Sequence, residues 1–457
     1  MPVGIDVRGS DLTGATVELL QTLIRNRCVN DGTPGSGEES RNADVLQSYV
    51  EGPGVTVERW EPEPGRASFV ARLEGRDARA PRLCLMGHTD VVPVHPEGWR
   101  RDPFGAEVVT NADGVTEVWG RGAVDMLNLT ASMAVAFRDL ADRGVRPQGD
   151  LLYFVVADEE AGSAVGARWV AEQHADVIRC EYLLTESGGL HDGPVSSPAI
   201  GVTVGEKGVA WRRLLVRGTP GHGSAPFRAD NALVKAAAVV NRLAAYRPAP
   251  RFHELWARRV ELLDLPEDMR AALIDADRID ALLDELPSAA ASYFHACTHA
   301  TFSPNLIDGG VMKVNVIPDS VTIDVDVRTL PGEGTSEVAE HLRAALGELA
   351  DHVEVEILMD DPASISRTDG PLWDALQRAV SVPFPGVRLE PQFTVGFTDA
   401  RVFRELGAVS YGAGLFSPHV DPLEFARRFP GHDARVDVES LGLTVGLWQR
   451  VVSELMT

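Results

Sequence analysis

The segment GHTDVVP places His88 and Asp90 two residues apart where an apolar run ends, and in extended chain such residues share a face. The imidazole there can hold a cation while the carboxylate steadies a neighbour, although an ordinary hydrogen-bonded turn also contains such a pair. GRGAVDML sets Asp125 directly before a helical pattern, as a helix cap or as a ligand, with glycines that permit tight turns. ADEEAGS gives Asp158, Glu159 and Glu160 in succession, and adjacent carboxylates repel unless cations or protons offset them. On a surface loop this means only solvation; at the mouth of a sheet it suggests one metal ligand and one proton shuttle. TESGG adds Glu186 in the same kind of position, and FPGHDAR adds His432 before the final helical stretch.

Imidazole and carboxylate donors without thiolate suit zinc in a hydrolytic site, and also cobalt or manganese. His88, Asp125, Glu160, Glu186 and His432, with Glu159 to spare, suffice for two ions sharing a bridging carboxylate and a water, as in two-metal aminopeptidases.

The elements that must position these groups are legible in the apolar pattern. Val55–Trp60, Ser68–Leu73, Arg82–Met86, Leu151–Val156 and Tyr182–Leu184 read as strands. Helical spacing marks 11–30, 40–50, 129–142 and 164–173. Strands alternating with helices imply an α/β sheet covered on both faces. GHTD, ADEE and TESGG each follow a strand, and open α/β sheets build sites at the carboxyl ends of their strands. After about Gly201 the pattern changes to half-exposed strands (202–204, 210–216, 311–316, 321–328), a helix at 231–244 and an acidic helical insertion at 254–287. This block reads as a separate small α+β domain. From about Pro331 the larger domain resumes, with helices near 336–348, 371–380 and 439–455.

At 457 residues the chain is too long for one ordinary core. Its net charge of −24 disfavours nucleic acid and anionic membranes as partners. Cys28, Cys84, Cys180 and Cys297 form no CxxC pair, no apolar signal core opens the chain, and no apolar run is long enough to span a bilayer. The expectation is a soluble, cytoplasmic protein with reduced cysteines.

GHTDVVP, GRGAVDML, ADEEAGS, TESGG, GHGSAP, NVIPDS, DVRTLPGE and GHDARVDVES, in this order, resemble the M20 family of metallopeptidases from about residue 15 to the C-terminus. That family includes aminoacylases, acetylornithine deacetylase, succinyl-diaminopimelate desuccinylase and glutamate carboxypeptidases. The resemblance implies an α/β fold, a three-layer catalytic domain (1–204 and 331–457) with an inserted ferredoxin-like α+β lid and dimerisation domain (205–330). It implies two zinc ions, one bound by His88 and the other by His432, both bridged by Asp125 and completed by Glu160 and Glu186. Glu159 becomes the general base and Asp90 orients His88 through its second ring nitrogen. His222 of GHGSAP becomes an oxyanion donor reaching into the neighbouring subunit of a homodimer, or else a turn histidine between glycines. Arg328 is a clamp for a substrate carboxylate, beside Asn315, or an ion pair with Asp324 or Asp326. Thr398, Asp399 and Gly414 match substrate-side segments. The implied substrate is a small N-acyl amino acid or short peptide. The rival is a catalytically silent member that binds a ligand or partner, against which the intact ligand set and the spare Glu159 argue.

Overall fold

Leu151–Val156 is a run of six apolar residues, and all six are buried. Strands buried on both faces read as continuous apolar runs, the signature of a parallel sheet covered by helices. The computed structural model describes residues 9–192, 197–263, 265–309, 313–429 and 431–457. They divide into a larger unit, Met1–Val204 with Ser366–Gln392 and Thr398–Thr457, and a smaller one, Gly205–Ile365 with Phe393–Phe397.

In the larger unit Leu151–Val156 pairs in parallel with Leu83–His88, which pairs in parallel with Tyr182–Thr185, which pairs in parallel with Val409–Gly412. Val55–Trp60 and Ser68–Leu73 extend the sheet antiparallel beyond Leu151–Val156. Successive side chains serve opposite layers. Cys84, Met86, Leu152, Phe154 and Leu183 pack with Val170, Ile178, Val402 and Phe403 on one face. On the other, Tyr153 meets the rings of Phe69 and Phe137 and donates to the Thr130 carbonyl at 2.9 Å. Helices Gly9–Arg25, Leu127–Asp142, Pro371–Ser381 and Val438–Met456 pack on one another. A separate small sheet joins Glu107–Thr110, Thr116–Trp119 and Arg435–Asp437.

The smaller unit runs strand Arg212–Arg217, helix Ala232–Ala245, strands Thr301–Asp308 and Ser320–Thr329, helix Thr335–Leu346 and strand Val353–Ile357. Ser320–Thr329 lies between Thr301–Asp308 and Arg212–Arg217, and Val353–Ile357 closes the far side of Arg212–Arg217, all antiparallel. This βαββαβ order is the ferredoxin-like arrangement. The insertion forms helices Glu254–Leu262, Glu267–Ala272, Ile279–Glu285 and Ser288–Thr298 around Trp256, Val260, Leu273 and Cys297.

Two expectations need correction. The smaller unit does not end at 330, because Val338, Leu342 and Leu346 share a core with Leu214, Val216, Ile323 and Val325. Of the strand expected over 311–316, residues 311 and 312 lie outside the described residues, and the chain is extended and paired only at Val316–Ile317. Among the strands that sequence reading passes over is Thr301–Asp308. It contains Pro304, which an interior strand rejects; here it lies at a sheet edge with its register shifted between Pro304 and Leu306. Among the described residues no helix is long and apolar enough to cross a membrane, and all four cysteines are free and buried.

Candidate metal centre

His88 is the last residue of its strand and only 1% exposed. A Cβ on Gly87 would lie 2.3 Å from Thr130 Oγ1, so glycine allows the helix to approach. Thr130 Oγ1 then donates to the His88 carbonyl at 2.9 Å and fixes the strand end. Nδ1 of His88 lies 3.0 Å from the Asp90 carbonyl oxygen and 3.4 Å from Asp90 Oδ1. A carbonyl only accepts, so Nδ1 carries the proton and Nε2 presents a lone pair.

That lone pair faces carboxylates. Nε2 lies 3.4 Å from Asp125 Oδ1, 3.8 Å from Glu186 Oε2 and 4.0 Å from Glu159 Oε2. It is buried and has no hydrogen-bond partner among the described residues. A lone pair set against acid oxygens calls for a cation between them. A proton competes with a metal ion for that nitrogen: burial works against a charged His88, yet Asp125, Asp90 and Glu186 outweigh it and hold the imidazole well above its ordinary range. Glu159 is pushed well up, first by burial and then by Glu186; Glu160 likewise, by burial and then by Asp125. Burial also raises Glu186 to about 7, although His88 opposes it. Ligand atoms of His88, Asp125 and Glu160 converge within 4.8 Å of one another, and so do those of His88, Glu159 and Glu186. Nitrogen and carboxylate oxygen at such spacing fit a divalent ion of the zinc type. Asp125 does not cap the following helix, whose N-cap is Met126 without a side-chain bond.

Asp90 does more than face the imidazole. Its Oδ1 accepts the N–H of Glu159 at 3.3 Å, and Oδ2 accepts the N–H of Glu160 at 3.1 Å. One carboxylate thus ties the end of one strand to the loop after the next.

His432 is not gathered into this cluster: among the described residues, no convergent ligand group includes it. It is exposed, with its ring against Gly98 and edge-on to Trp99 at 6.3 Å. Neighbouring Asp433 accepts from Arg100 N at 2.9 Å and Nε at 2.6 Å, which pins this turn. Asp399 is 2% exposed and accepts from Ser163 Oγ, while its Oδ2 is buried without a hydrogen-bond partner among the described residues. Its charge acts on both Glu159 and Glu186, and burial above all raises its own pKa to about 6. Thr398 Oγ1 accepts the Ala400 N–H at 3.1 Å. Gly414 lies against Gly188 and Gly189, just past Glu186.

In the smaller unit, Gly221–His222 pairs with Val316–Ile317, and Gly223 N donates to the Asn315 carbonyl at 2.9 Å, so His222 and Asn315 sit on adjoining segments. His222 is exposed, with Nδ1 2.7 Å from Ser224 Oγ. Arg328 turns its fork onto Asp326, at 2.7 and 3.2 Å, and lies over Phe397. The bidentate pair engages Nε and Nη2, while Nη1 is buried with no hydrogen-bond partner among the described residues.

Sequence reading missed Arg66, Glu39, Asn30 and Arg121, all buried. Arg121 lies over Trp99, donates to the Gly431 carbonyl at 3.0 Å and feels the charges of Asp125 and Glu160. Its place in GRGAVDML, four residues before a ligand candidate, was the only signal.

The sequence profile of peptidase family M20/M25/M40 matches residues 84–454. An N-fatty-acyl-amino acid synthase/hydrolase of Xenopus tropicalis is 27% identical, over 95% of this chain and 85% of its own. Aminoacylase-1 of Sus scrofa is 28% identical, over 80% and 78%. In fold, the chain is similar to an M20 family metallo-carboxypeptidase from Sulfolobus solfataricus, with a TM-score of 0.72 at 17% identity, covering 96% of this chain and 99% of that one.

Proposed function

The chain belongs to peptidase family M20/M25/M40, a metal-dependent amidohydrolase or peptidase, and from that premise we propose that it hydrolyses the amide bond of N-acyl amino acids or short peptides at the His88 cluster. The observation that carries the reading is the buried Nε2 of His88 facing Asp125, Glu159 and Glu186. His88, Asp125, Glu160 and Glu186 are the proposed ligands, with Asp125 shared between two zinc ions; cobalt or manganese would suit the same donors. His432, outside both convergent groups, is the proposed further ligand on the second ion, so the ion on the His88 side is the tighter one.

A bound divalent ion would polarise the amide carbonyl and make water a nucleophile near neutral pH. Glu159 takes the proton of the attacking water and passes it to the leaving nitrogen, so that amide and water become carboxylate and amine. Asp90 keeps His88 in the tautomer that leaves Nε2 free and holds the Glu159 backbone in place.

A panel of N-acyl amino acids and dipeptides, assayed after chelation and again with zinc, cobalt or manganese restored, tests this. Hydrolysis that chelation abolishes and metal restores is the expected result. Metal binding without hydrolysis of any substrate in the panel would favour the silent, ligand-binding alternative.

A homodimer with His222 completing the partner's site is the reading we attach to the exposed, glycine-flanked histidine. Mixed dimers of Glu159→Gln and His222→Ala subunits contain one site with neither lesion, so activity should return on mixing. Verified mixed dimers that stay inactive, or an active monomer, refute it.

A further inference from the structure

The loop that carries Glu159 and Glu160 starts from a backbone conformation that does not hold itself. Asp158 sits at φ 68°, ψ 17°, in the left-handed region that side chains other than Asn and Asp seldom enter. Buried partners hold it there. Asp158 Oδ1 accepts from Arg66 Nη2 at 2.7 Å and from Asn30 Nδ2 at 3.1 Å. Oδ2 accepts the Val165 N–H at 3.1 Å, and the N–H of Asp158 donates to Glu39 Oε1 at 3.2 Å.

Arg66 is itself fixed. Its Nε and Nη2 meet the two oxygens of Glu39 at 2.7 and 2.8 Å, a parallel fork. Arg66 is 6% exposed and Glu39 fully buried. Asn30 shares its amide between Asp158 and Asp90 Oδ2, the latter at 2.9 Å, and Asp90 in turn holds the N–H groups of Glu159 and Glu160. A continuous buried path therefore runs from Arg66 to the backbone of both acids.

We propose that Arg66 is a positioning residue for Glu159 and Glu160: through Asp158 it fixes the left-handed turn that aims the base and one ligand into the cluster. The inference rests on the reading of the centre given above. The bland alternative is a guanidinium that only neutralises two buried acids. The two differ in what lysine would do. Lysine keeps the charge but lacks the planar fork, so it cannot grip Glu39 with two parallel bonds while reaching Asp158.

The test is Arg66→Lys in the full chain, with zinc affinity measured by competition against a chromogenic chelator and kinetics on an N-acyl amino acid. Partners in this outer position are worth about 10–100-fold in metal affinity or activity. We expect kcat per zinc-loaded subunit to fall by about that factor with KM within about twofold, and zinc to bind more weakly because Glu160 moves too. A variant that melts lower yet keeps kcat and zinc affinity shows a structural role only and overturns the proposal, as does a loss confined to KM. If Arg66→Lys does not fold, Asn30→Ala removes the other side-chain donor to Asp158 and leaves the ion pair; the same loss is expected, and unchanged kcat and zinc affinity overturn the proposal. The zinc arm separates the two readings: a wild-type protein that binds zinc but cleaves no amide refutes the activity, while zinc affinity still decides Arg66.

Discussion

Glu159→Gln separates the two roles that geometry offers this side chain. Glu159 Oε2 lies 4.0 Å from His88 Nε2. That is about twice a zinc–nitrogen or zinc–carboxylate bond of roughly 2.0–2.1 Å, so an ion on His88 is within ligating reach of Glu159 as well. As a base, Glu159 must instead stay off the ion and take a proton. Glutamine keeps the shape and an acceptor oxygen but removes the basicity. General-base catalysis is worth about 10²–10⁴-fold, or roughly 2.7–5.4 kcal/mol of barrier. Folding should not suffer, since burial, Glu186, Asp399 and Glu160 disfavour the Glu159 charge and outweigh His88, which favours it. The assay compares kcat for release of free amine from an N-acyl amino acid with metal content by mass spectrometry after gel filtration. The expected result is a kcat loss of at least about 100-fold with metal content unchanged. Metal that falls in step with activity would move Glu159 into the ligand set. A kcat within about tenfold of wild type at full metal content would place the base elsewhere.

The remaining predictions follow from individual contacts. His88→Asn should abolish tight zinc binding, whereas His432→Ala should leave the tighter site within about threefold of wild type; isothermal titration with zinc checks both, and a large loss in His432→Ala would bring that histidine into the tight site. Gly87→Ala puts a Cβ 2.3 Å from Thr130 Oγ1 and should destabilise by about 1–3 kcal/mol, read as a shift in denaturant midpoint with unchanged slope. In the smaller unit Lys207 donates to the carbonyls of Ala296 and His299 at 2.9 and 2.7 Å, and burial above all lowers its pKa from 10.5 to about 7. Between those values the unfolded chain binds a proton that the folded chain does not, so this residue's contribution to stability rises with pH across the window; the difference in urea stability between wild type and Lys207→Met should change in that sense from pH 7 to 10.

Strands were legible where apolar residues run on or alternate with polar ones. Val55–Trp60, Ser68–Leu73 and Leu151–Val156 stand where the apolar pattern puts them. Because His88 ends such a strand and Glu159, Glu160 and Glu186 follow others directly, their meeting could be anticipated without any contact information; Asp125, marked only by its place before a helix, joins them in the structure. What escaped depends on tertiary partners. Thr301–Asp308 looks unlike a strand because of Pro304, and only an edge position tolerates it. Glu107–Thr110 and Thr116–Trp119 are short and mixed in pattern, and they exist as a sheet through Arg435–Asp437, far along the chain. That same sheet, with the Arg100–Asp433 contacts, sets where His432 lies, and no local spacing encodes it. Asn30, Glu39 and Arg66 stand singly in loops with no motif to mark them; their role appears only once Asp158 is seen to need holding.

The centre is best understood by asking which buried acids have a cation of their own. A buried carboxylate is costly unless paired. Arg66 serves Glu39 and Asp158, and Arg401 stands 3.9 Å from Asp399. Arg121 opposes Asp125 and Glu160 from the Trp99 side. Backbone N–H groups and Asn30 serve Asp90. Among the described residues Glu159 and Glu186 share only His88, whose charge would occupy the same Nε2 that faces them. A fold selected for stability alone would replace one of these acids with its amide. Keeping both, beside a histidine whose other nitrogen is committed to the Asp90 carbonyl, leaves a negative hollow at the strand ends that a divalent ion satisfies and a proton satisfies only in part. By neutralising the neighbouring acids, the outer guanidiniums confine the unmet demand for a cation to the side of Glu159 and Glu186.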